Sequence, residues 1–519
     1  MLHQNPTTTK SWKELEKHYQ DIKDVHLNSL FEKNANRKDE FSIAFEALNF
    51  DFSKNRITKK TLELLVELAK EQKLDKAIES LFTGEKINTT EERAVLHAAL
   101  RSFEDEHLKV DDSLIYNEID QARNKVKQFT EQVISGDWKG HTGKRITDVV
   151  NIGIGGSDLG PQMVVKALDF YKNQLNIHFI SNIDGDATHA VLNKLNPETT
   201  LFVVVSKTFS TLETLTNANT CKSWLLKKGI NTTIANHFVA VSANEKEALS
   251  FGIEKESIFP MWDWVGGRFS MWGSVGISIA LAIGYDEFEN FLKGANSVDI
   301  HFRKTAFKNN IPVLMGILSV WNINFFKTKS EAVLPYAESL DKFVAYLQQL
   351  FMESNGKSID VNGELVNYET GAVIFGSTGS NAQHSFMQHI HQGTQLIPVD
   401  FIGFSASLYG GEKHHSILMA NFNAQTEALQ KGKSKNEVHL SMKLNHEKNK
   451  INKLLPFKVF NGNRVSNTLL LNKLTPYNLG LLIALYEHKV FVQGVIWNIN
   501  SFDQFGVELG KEMARKVKS

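Results

Sequence analysis

Between residues 148 and 242, four short β-branched runs (148–154, 177–181, 200–205 and 238–242) alternate with helical stretches. This pattern admits few folds. Near-continuous apolar strands need cover on both faces, which is what a parallel sheet between two layers of helices provides. A second alternation begins near residue 310, with strands expected near 332–334, 372–375 and 397–402. Within it, residues 372–380 (Ala-Val-Ile-Phe-Gly-Ser-Thr-Gly-Ser) repeat the order strand, hydroxyl-and-glycine turn, helix. Two related doubly wound α/β units are therefore expected, with ligand crevices at the C-terminal ends of their strands. Ahead of them, residues 10 to about 115 read as helical and charged. Leu62, Leu65, Val66 and Ala69 make one apolar stripe there, and Thr89-Thr90-Glu91-Glu92 reads as a capping box opening a helix at Arg93. Residues 269–283 read as one buried helix, and the stretch from about 475 as two helices.

Composition narrows the function classes. The chain has 519 residues, with 58 basic against 58 acidic side chains, so the basic excess or stripe of an electrostatic nucleic-acid binder is missing. Cys221 is the only cysteine, which excludes an intrachain disulfide and a thiol metal cage. Residues 1–10 are polar and lack the order of a secretory signal, and no unbroken apolar run approaches the ~20 residues of a membrane span. A soluble, cytoplasmic protein is expected.

Residues 206–214 (Ser-Lys-Thr-Phe-Ser-Thr-Leu-Glu-Thr) follow the run 201–205 directly. A buried strand thus empties into a hydroxyl-rich turn at a helix N-terminus, where free N–H groups and the macrodipole favour an anion. The lysine-terminated glycine loop of nucleoside triphosphate sites is absent, which points to a small phosphorylated metabolite. A Ser/Thr helix cap is the bland alternative. Residues 151–161 (Asn-Ile-Gly-Ile-Gly-Gly-Ser-Asp-Leu-Gly-Pro) form a glycine turn where backbone can approach a ligand, although the spacing is not that of a dinucleotide fingerprint.

Further chemistry lies downstream. Arg268 follows Gly266 and Gly267 and precedes an apolar stretch, a setting that suits oxyanion stabilisation or pairing with a carboxylate. Glu353 is expected at the C-terminal end of an amphipathic helix over 340–350, facing the dipole's negative end, with Gly356 as its left-handed terminator. A residue that breaks a local rule is a candidate for function, here as general base. His384 is expected in the first turn of the helix after the second hydroxyl turn, as an acid or base or a structural histidine. A zinc site made with His389 and His391 lacks a familiar ligand spacing. Residues 501–504 (Ser-Phe-Asp-Gln) read as a capping box, and Gln504, Glu508 and Lys511 share one face of the helix it opens.

Together, the motifs at 153–161, 206–214, 265–270, 353–357 and 502–511 resemble the glucose-6-phosphate isomerase (phosphoglucose isomerase) family through nearly the whole chain. The resemblance implies two sugar-isomerase (SIS) domains, each an α/β/α sandwich with a mainly parallel sheet. The expected organisation is a helical N-terminal region over 1–118, SIS domains over 119–288 and 289–500, and a C-terminal helix over 501–519. It implies reversible aldose–ketose isomerisation of D-glucose 6-phosphate and D-fructose 6-phosphate through a cis-enediolate, in glycolysis and gluconeogenesis, without cofactor or metal. Ser206, Lys207 through its backbone, Thr208 and Thr211, with Ser157 and its neighbour Gly156, would hold the phosphate sugar, and Gly267 and Gln504 would also line the substrate site. Glu353 would move the proton, Arg268 would stabilise the enediolate, and His384 and Lys511 would open the ring, with Glu213 as the histidine's partner. The family also implies a homodimer in which the histidine comes from the neighbouring subunit. The competing expectation is a non-catalytic phosphosugar-binding module, which would need the 206–211 loop but not Arg268, Glu353 or Lys511.

Overall fold

The computed structural model describes residues 4–104, 108–111, 113–228, 234–443, 448–510 and 512–513. The chain divides into two compact units, each discontinuous in sequence. One comprises Asp75–Lys304, Thr475–Val490 and Asn500–Ser519; the other comprises Met1–Leu74, Thr305–Leu474 and Phe491–Ile499.

The unit built on Asp75–Lys304 carries a five-stranded sheet, all parallel. Its strands lie in the spatial order Asn176–Ile180, Asp148–Ile152, Thr200–Val205, Phe238–Ser242, Ile258–Pro260. In chain order this is 2-1-3-4-5, so the winding reverses between Asp148–Ile152 and Thr200–Val205. The loops leaving those two strands flank the crevice where doubly wound sheets bind ligands. All six residues of Thr200–Val205 are buried, and Phe202 and Val204 pack with Phe238, Cys221 and Leu225. Each such side chain contributes about 1.5–3 kcal/mol on burial, enough to hold the strand ends rigidly. Burial also pushes the Cys221 thiol up to about 12.

Two expectations fail in this unit, and one strand was not foreseen. Strand Ile258–Pro260 is too short for its pattern to show in sequence. Residues 269–283 do not form one helix: 3-10 turns over Gly267–Phe269 and Ser274–Gly276 precede the helix Ile277–Ile283. A Cβ on Gly276 would fall 2.3 Å from the Met271 carbonyl oxygen, so the chain turns tightly there instead of winding on. Residues 89–92 do not cap a helix either. They close a turn between the bridged residues Asn88 and Arg93, with Glu92 at φ 54°, and the chain stays open until the 3-10 turn His97–Arg101.

Beneath that turn lies a buried ionic cluster. Arg101 grips Asp299 with two bonds of 2.7 Å and donates to Glu487 at 2.5 Å; His488 bonds Asp299 at 2.6 Å, and Trp272 donates to Glu487 at 2.8 Å. Burial works against the Asp299 charge, but the Arg101 guanidinium outweighs it and lowers the carboxyl's pKa. Glu487 and His488 belong to the helix Pro476–Ile496, which is long and apolar enough to cross a bilayer by length and composition. Its most apolar window is 94% buried within the protein, as befits a core helix.

The unit built on Thr305–Leu474 repeats the winding. Val373–Gly376, Ser330–Pro335, Val399–Phe404 and Ser466–Leu471 are neighbours in that order and parallel. The sheet then continues into an antiparallel hairpin, Ser42–Phe45 and Leu48–Asp51, turning through Glu46 at φ 49°. This hairpin corrects the expectation of helix throughout the first hundred residues. Four-residue strands carry little periodicity, and Leu48–Asp51 is held by pairing with Ser466–Leu471, more than 400 residues away. The stripe on the helix Lys59–Glu71 is real but rotated: Thr61, Leu65, Leu68 and Ala69 are its buried residues.

Candidate active site

The hydroxyl turn leaves Thr200–Val205 and opens the helix Leu212–Lys227. It is tied to the next strand by Ser206 N–H on Val241 (3.0 Å), Ala243 N–H on Lys207 (2.9 Å) and the Asn244 amide on the Thr208 carbonyl (3.1 Å). Phe209, at φ 48°, turns its ring into the core. With the ring anchored inward, the hydroxyls cluster on the other side: Ser206 donates to Thr211 at 3.2 Å and Ser210 to Thr208 at 2.7 Å. Thr211 occupies the N-cap position, yet its side chain makes no capping bond. The helix-cap alternative therefore fails, because the hydroxyl is not spent on the N–H groups it would have to satisfy. A helix N-terminus lined with hydroxyls is chemically suited to an anion. Glu213 sits half-buried in the first turn of the same helix, where the dipole favours a carboxylate.

Lys207 contributes differently. Its ammonium donates to the carbonyls of Asp263 (3.1 Å) and Val265 (3.3 Å) and pairs with the Asp263 carboxylate, while burial lowers its pKa. The side chain is committed to the 263–265 loop, which leaves the backbone as its contribution to the turn. A cavity of about 230 Å³ adjoins it, lined in part by Arg93, Lys207, Thr208, Gly267 and Gln504.

The glycine turn after Asp148–Ile152 has a geometric reason. A Cβ on Gly156 would lie 2.1 Å from both the carbonyl carbon and oxygen of Gly267 and 2.7 Å from the Arg268 nitrogen. The two glycine loops are nested backbone to backbone. Ser157 lies beside the strand ends: a Cβ on Gly153 would meet its Cβ at 2.8 Å and the Val205 carbonyl oxygen at 3.2 Å.

Arg268 is 1% exposed. Its guanidinium donates to Gln504 Oε1 at 2.7 Å, to the Ser501 carbonyl at 2.6 Å and to the Asp503 carbonyl at 3.3 Å, all neutral oxygens. The capping box expected at 501–504 is thus corrected. Gln504 precedes a 3-10 turn, Phe505–Val507, with no side-chain cap bond, and the segment serves the arginine instead. Lys511 lies outside the described residues.

Glu353 belongs to the other unit. The helix Phe343–Gln348 passes into a π turn over Gln349–Glu353, a widened turn frequent at functional positions. Gln349 Nε2 donates to Glu353 Oε2 at 3.0 Å, an i, i+4 contact that sequence spacing could have flagged. Lys357 donates to the carbonyls of Glu353 and Ser354, offsetting the negative helix end. Gly356 is not left-handed, contrary to expectation. It is small because a Cβ would fall 2.5 Å from the Met352 carbonyl oxygen. Behind the turn, Asn355 donates to Gln493 (3.3 Å), Gln493 to Ser319 (2.6 Å), and Ser319 to Glu331.

In the second hydroxyl turn a carboxylate already takes the donors: Glu338 Oε2 accepts from Thr378 Oγ1 (2.7 Å) and Asn381 Nδ2 (3.1 Å). His384 ends the five-residue helix Gly379–Gln383 rather than starting one, and its side chain is exposed. His391 bonds Gln425, and no group of three metal-ligating side chains occurs among the described residues. One unit thus gathers Gly156, Ser157, Ser206, Lys207, Thr208, Thr211, Glu213, Gly267, Arg268 and Gln504. The other carries Glu353 and His384 on separate loops.

Comparison with known proteins shows the family. The family model described as phosphoglucose isomerase matches residues 51–519. A glucose-6-phosphate isomerase of Christiangramia forsetii is 55% identical over 514 residues, covering 99% of this chain and 95% of the relative. One from Buchnera aphidicola subsp. Schizaphis graminum is 53% identical over 516 residues, covering 99% and 93%. The crystal structure of a glucose-6-phosphate isomerase from Chlamydia trachomatis superposes with TM-score 0.88 at 34% identity, covering 99% of this chain and 96% of that one. With a hydroxyl cradle at the switch point of one parallel sheet and relatives matched from end to end, the chain belongs to the phosphoglucose isomerase family.

Proposed function

We propose that this chain interconverts D-glucose 6-phosphate and D-fructose 6-phosphate. The reading is carried by end-to-end similarity to proteins of that name. The uncapped Thr211 hydroxyl in the 206–211 turn gives it a physical footing.

The cradle binds the phosphate and does no chemistry, but its binding energy fixes the sugar over the base. His384 and Lys511 move the protons that open the ring, with Glu213 as the histidine's partner. Glu353 then takes the proton from C2 of the open-chain aldose, the electron pair moves toward the C1 carbonyl oxygen, and a cis-enediolate forms. Arg268 meets the oxyanion. Protonation at C1 by the same carboxyl, with transfer of the C2 hydroxyl's proton to the C1 oxygen, gives the ketose and restores the carboxylate. A base of this kind supplies about 10² to 10⁴ in rate and an aimed oxyanion donor about 10² to 10³. No cofactor enters the scheme.

We further propose that the working form is a homodimer in which His384 serves the neighbouring subunit's substrate, a role its exposed position leaves open to it. A cytoplasmic setting suits a chain whose one cysteine is buried with its thiol pKa raised.

The test is a coupled assay with chelator present, using Glu353→Gln alongside the unaltered protein. Glu353→Gln is expected to lower kcat by orders of magnitude with a smaller change in KM, and near-normal turnover would remove it as the base.

A further inference from the structure

The Thr89-Thr90-Glu91-Glu92 motif caps no helix and has no part in the chemistry described so far. Its turn is internally braced: Asn88 and Arg93 are bridged, and the Asn88 amide donates to Glu91 at 2.7 Å. From this braced turn two hydroxyls reach the segment that holds Arg268. Thr90 Oγ1 lies 2.6 Å from Asp503 Oδ2, and Thr89 Oγ1 donates to Asn500 Oδ1 at 3.0 Å. Thr90 Oγ1 also lies 3.2 Å from Asn88 Oδ1, but its one proton goes to the nearer, charged acceptor.

That segment supplies three oxygens to the Arg268 guanidinium: the Ser501 and Asp503 carbonyls and the Gln504 amide. The Phe502 ring packs 5.5 Å from that of Phe269 and 6.3 Å from that of His97, which sets the depth of the segment. Ring packing is not directional enough to set the rotation of its peptide planes; the bond from Thr90 to the Asp503 side chain is. We propose that Thr90 is a positioning residue for the isomerisation. Through Asp503 it orients the 501–504 oxygens, and they fix the plane and reach of the Arg268 guanidinium. The inference rests on the reading of Arg268 as the group that meets the enediolate. The oxyanion exists only as the reaction proceeds, so misaiming its donor costs turnover rather than substrate binding.

The experiment compares Thr90→Val, Thr90→Ser, Arg268→Lys and the Thr90→Val, Arg268→Lys double variant in the full-length protein, with kcat, KM and melting temperature measured for each. Thr90→Val is expected to lower kcat about tenfold or more with KM within about threefold, since small misplacements carry such penalties. Thr90→Ser, which keeps the hydroxyl, should restore most of the rate. On top of Arg268→Lys, Thr90→Val should cost less than about a further twofold, because the two act through one group. Near-normal kcat in Arg268→Lys overturns the role given to Arg268 itself. A lowered kcat there, with Thr90→Val within twofold of the unaltered protein, overturns the positioning role alone, as does full multiplicative loss in the double variant. If Thr90→Val does not fold, Thr90→Ala removes the hydroxyl without an added methyl group and is judged by the same criteria.

Discussion

Thr211 is where a helix cap and an anion cradle make opposite demands on one hydroxyl. An N-cap threonine bonded to the first turn loses about 1 kcal/mol of stability when cut to alanine. Thr211 makes no such bond, so Thr211→Ala should leave the melting temperature nearly unchanged. It should nevertheless raise KM roughly tenfold to a hundredfold, the equivalent of one hydrogen bond to a charged group. A drop in melting temperature with KM untouched would return the hydroxyl to capping. Gly156 poses a purely steric question. The added Cβ of Gly156→Ala would meet Gly267 backbone at 2.1 Å, and backbone cannot swing aside as a side chain can. The Gly267–Arg268 turn must move instead, and a shift of about 1 Å can cost about a hundredfold in rate. Steady-state kinetics on the soluble variant would show it as lost kcat/KM.

Among the elements, the π turn over Gln349–Glu353 carries most of the burden of placing Glu353, the proposed base. Its support is the buried line from Asn355 through Gln493 and Ser319 to Glu331. Gln493→Leu would strip buried Asn355 of an acceptor and buried Ser319 of a donor. The expected cost is about 2–4 kcal/mol, readable as a lowered denaturation midpoint with unchanged slope. Apart from the i, i+4 spacing of Gln349 and Glu353, none of this was legible in the sequence. A π turn adds one residue to a helix without breaking its apolar pattern, and Gln493 is 140 residues from the glutamate it supports. The strands Thr200–Val205 and Phe238–Ser242 were legible to the residue, because a run buried on both faces is apolar throughout. The hairpin Ser42–Phe45 and Leu48–Asp51 was not, since its register is imposed by a distant strand. The hydroxyl turn over 206–211 and Arg268 stood out by composition. The two supposed capping boxes misled because threonine, aspartate and glutamine also form turns, and at Thr90, Asp503 and Gln504 the side chains are taken up by tertiary partners.

For the molecule as a whole, acid should be the weak flank. Burial lowers the pKa of His97, His237, His301 and His488 from the usual 6.5, to about 4 for His301. Each is held neutral in the fold, while the unfolded chain binds a proton there once pH falls below 6.5, so unfolding takes up protons in that range. The stability from neutral imidazoles is complete above 6.5 and is lost as pH falls from 6.5 toward 4. Melting temperature should fall across that window, and His301→Gln should flatten the slope there. The proposed sharing of His384 between subunits can be tested at the same scale. Glu353→Gln and His384→Ala chains, each inactive alone, would be unfolded together and refolded as a mixture. If each site takes its glutamate from one chain and its histidine from the other, a mixed dimer pairs the intact Glu353 with the intact His384 at one of its two sites. Random reassortment of a symmetric dimer then returns about a quarter of the unaltered protein's activity. If both residues serve the same chain's site, every site in the mixture lacks one of them and no activity returns.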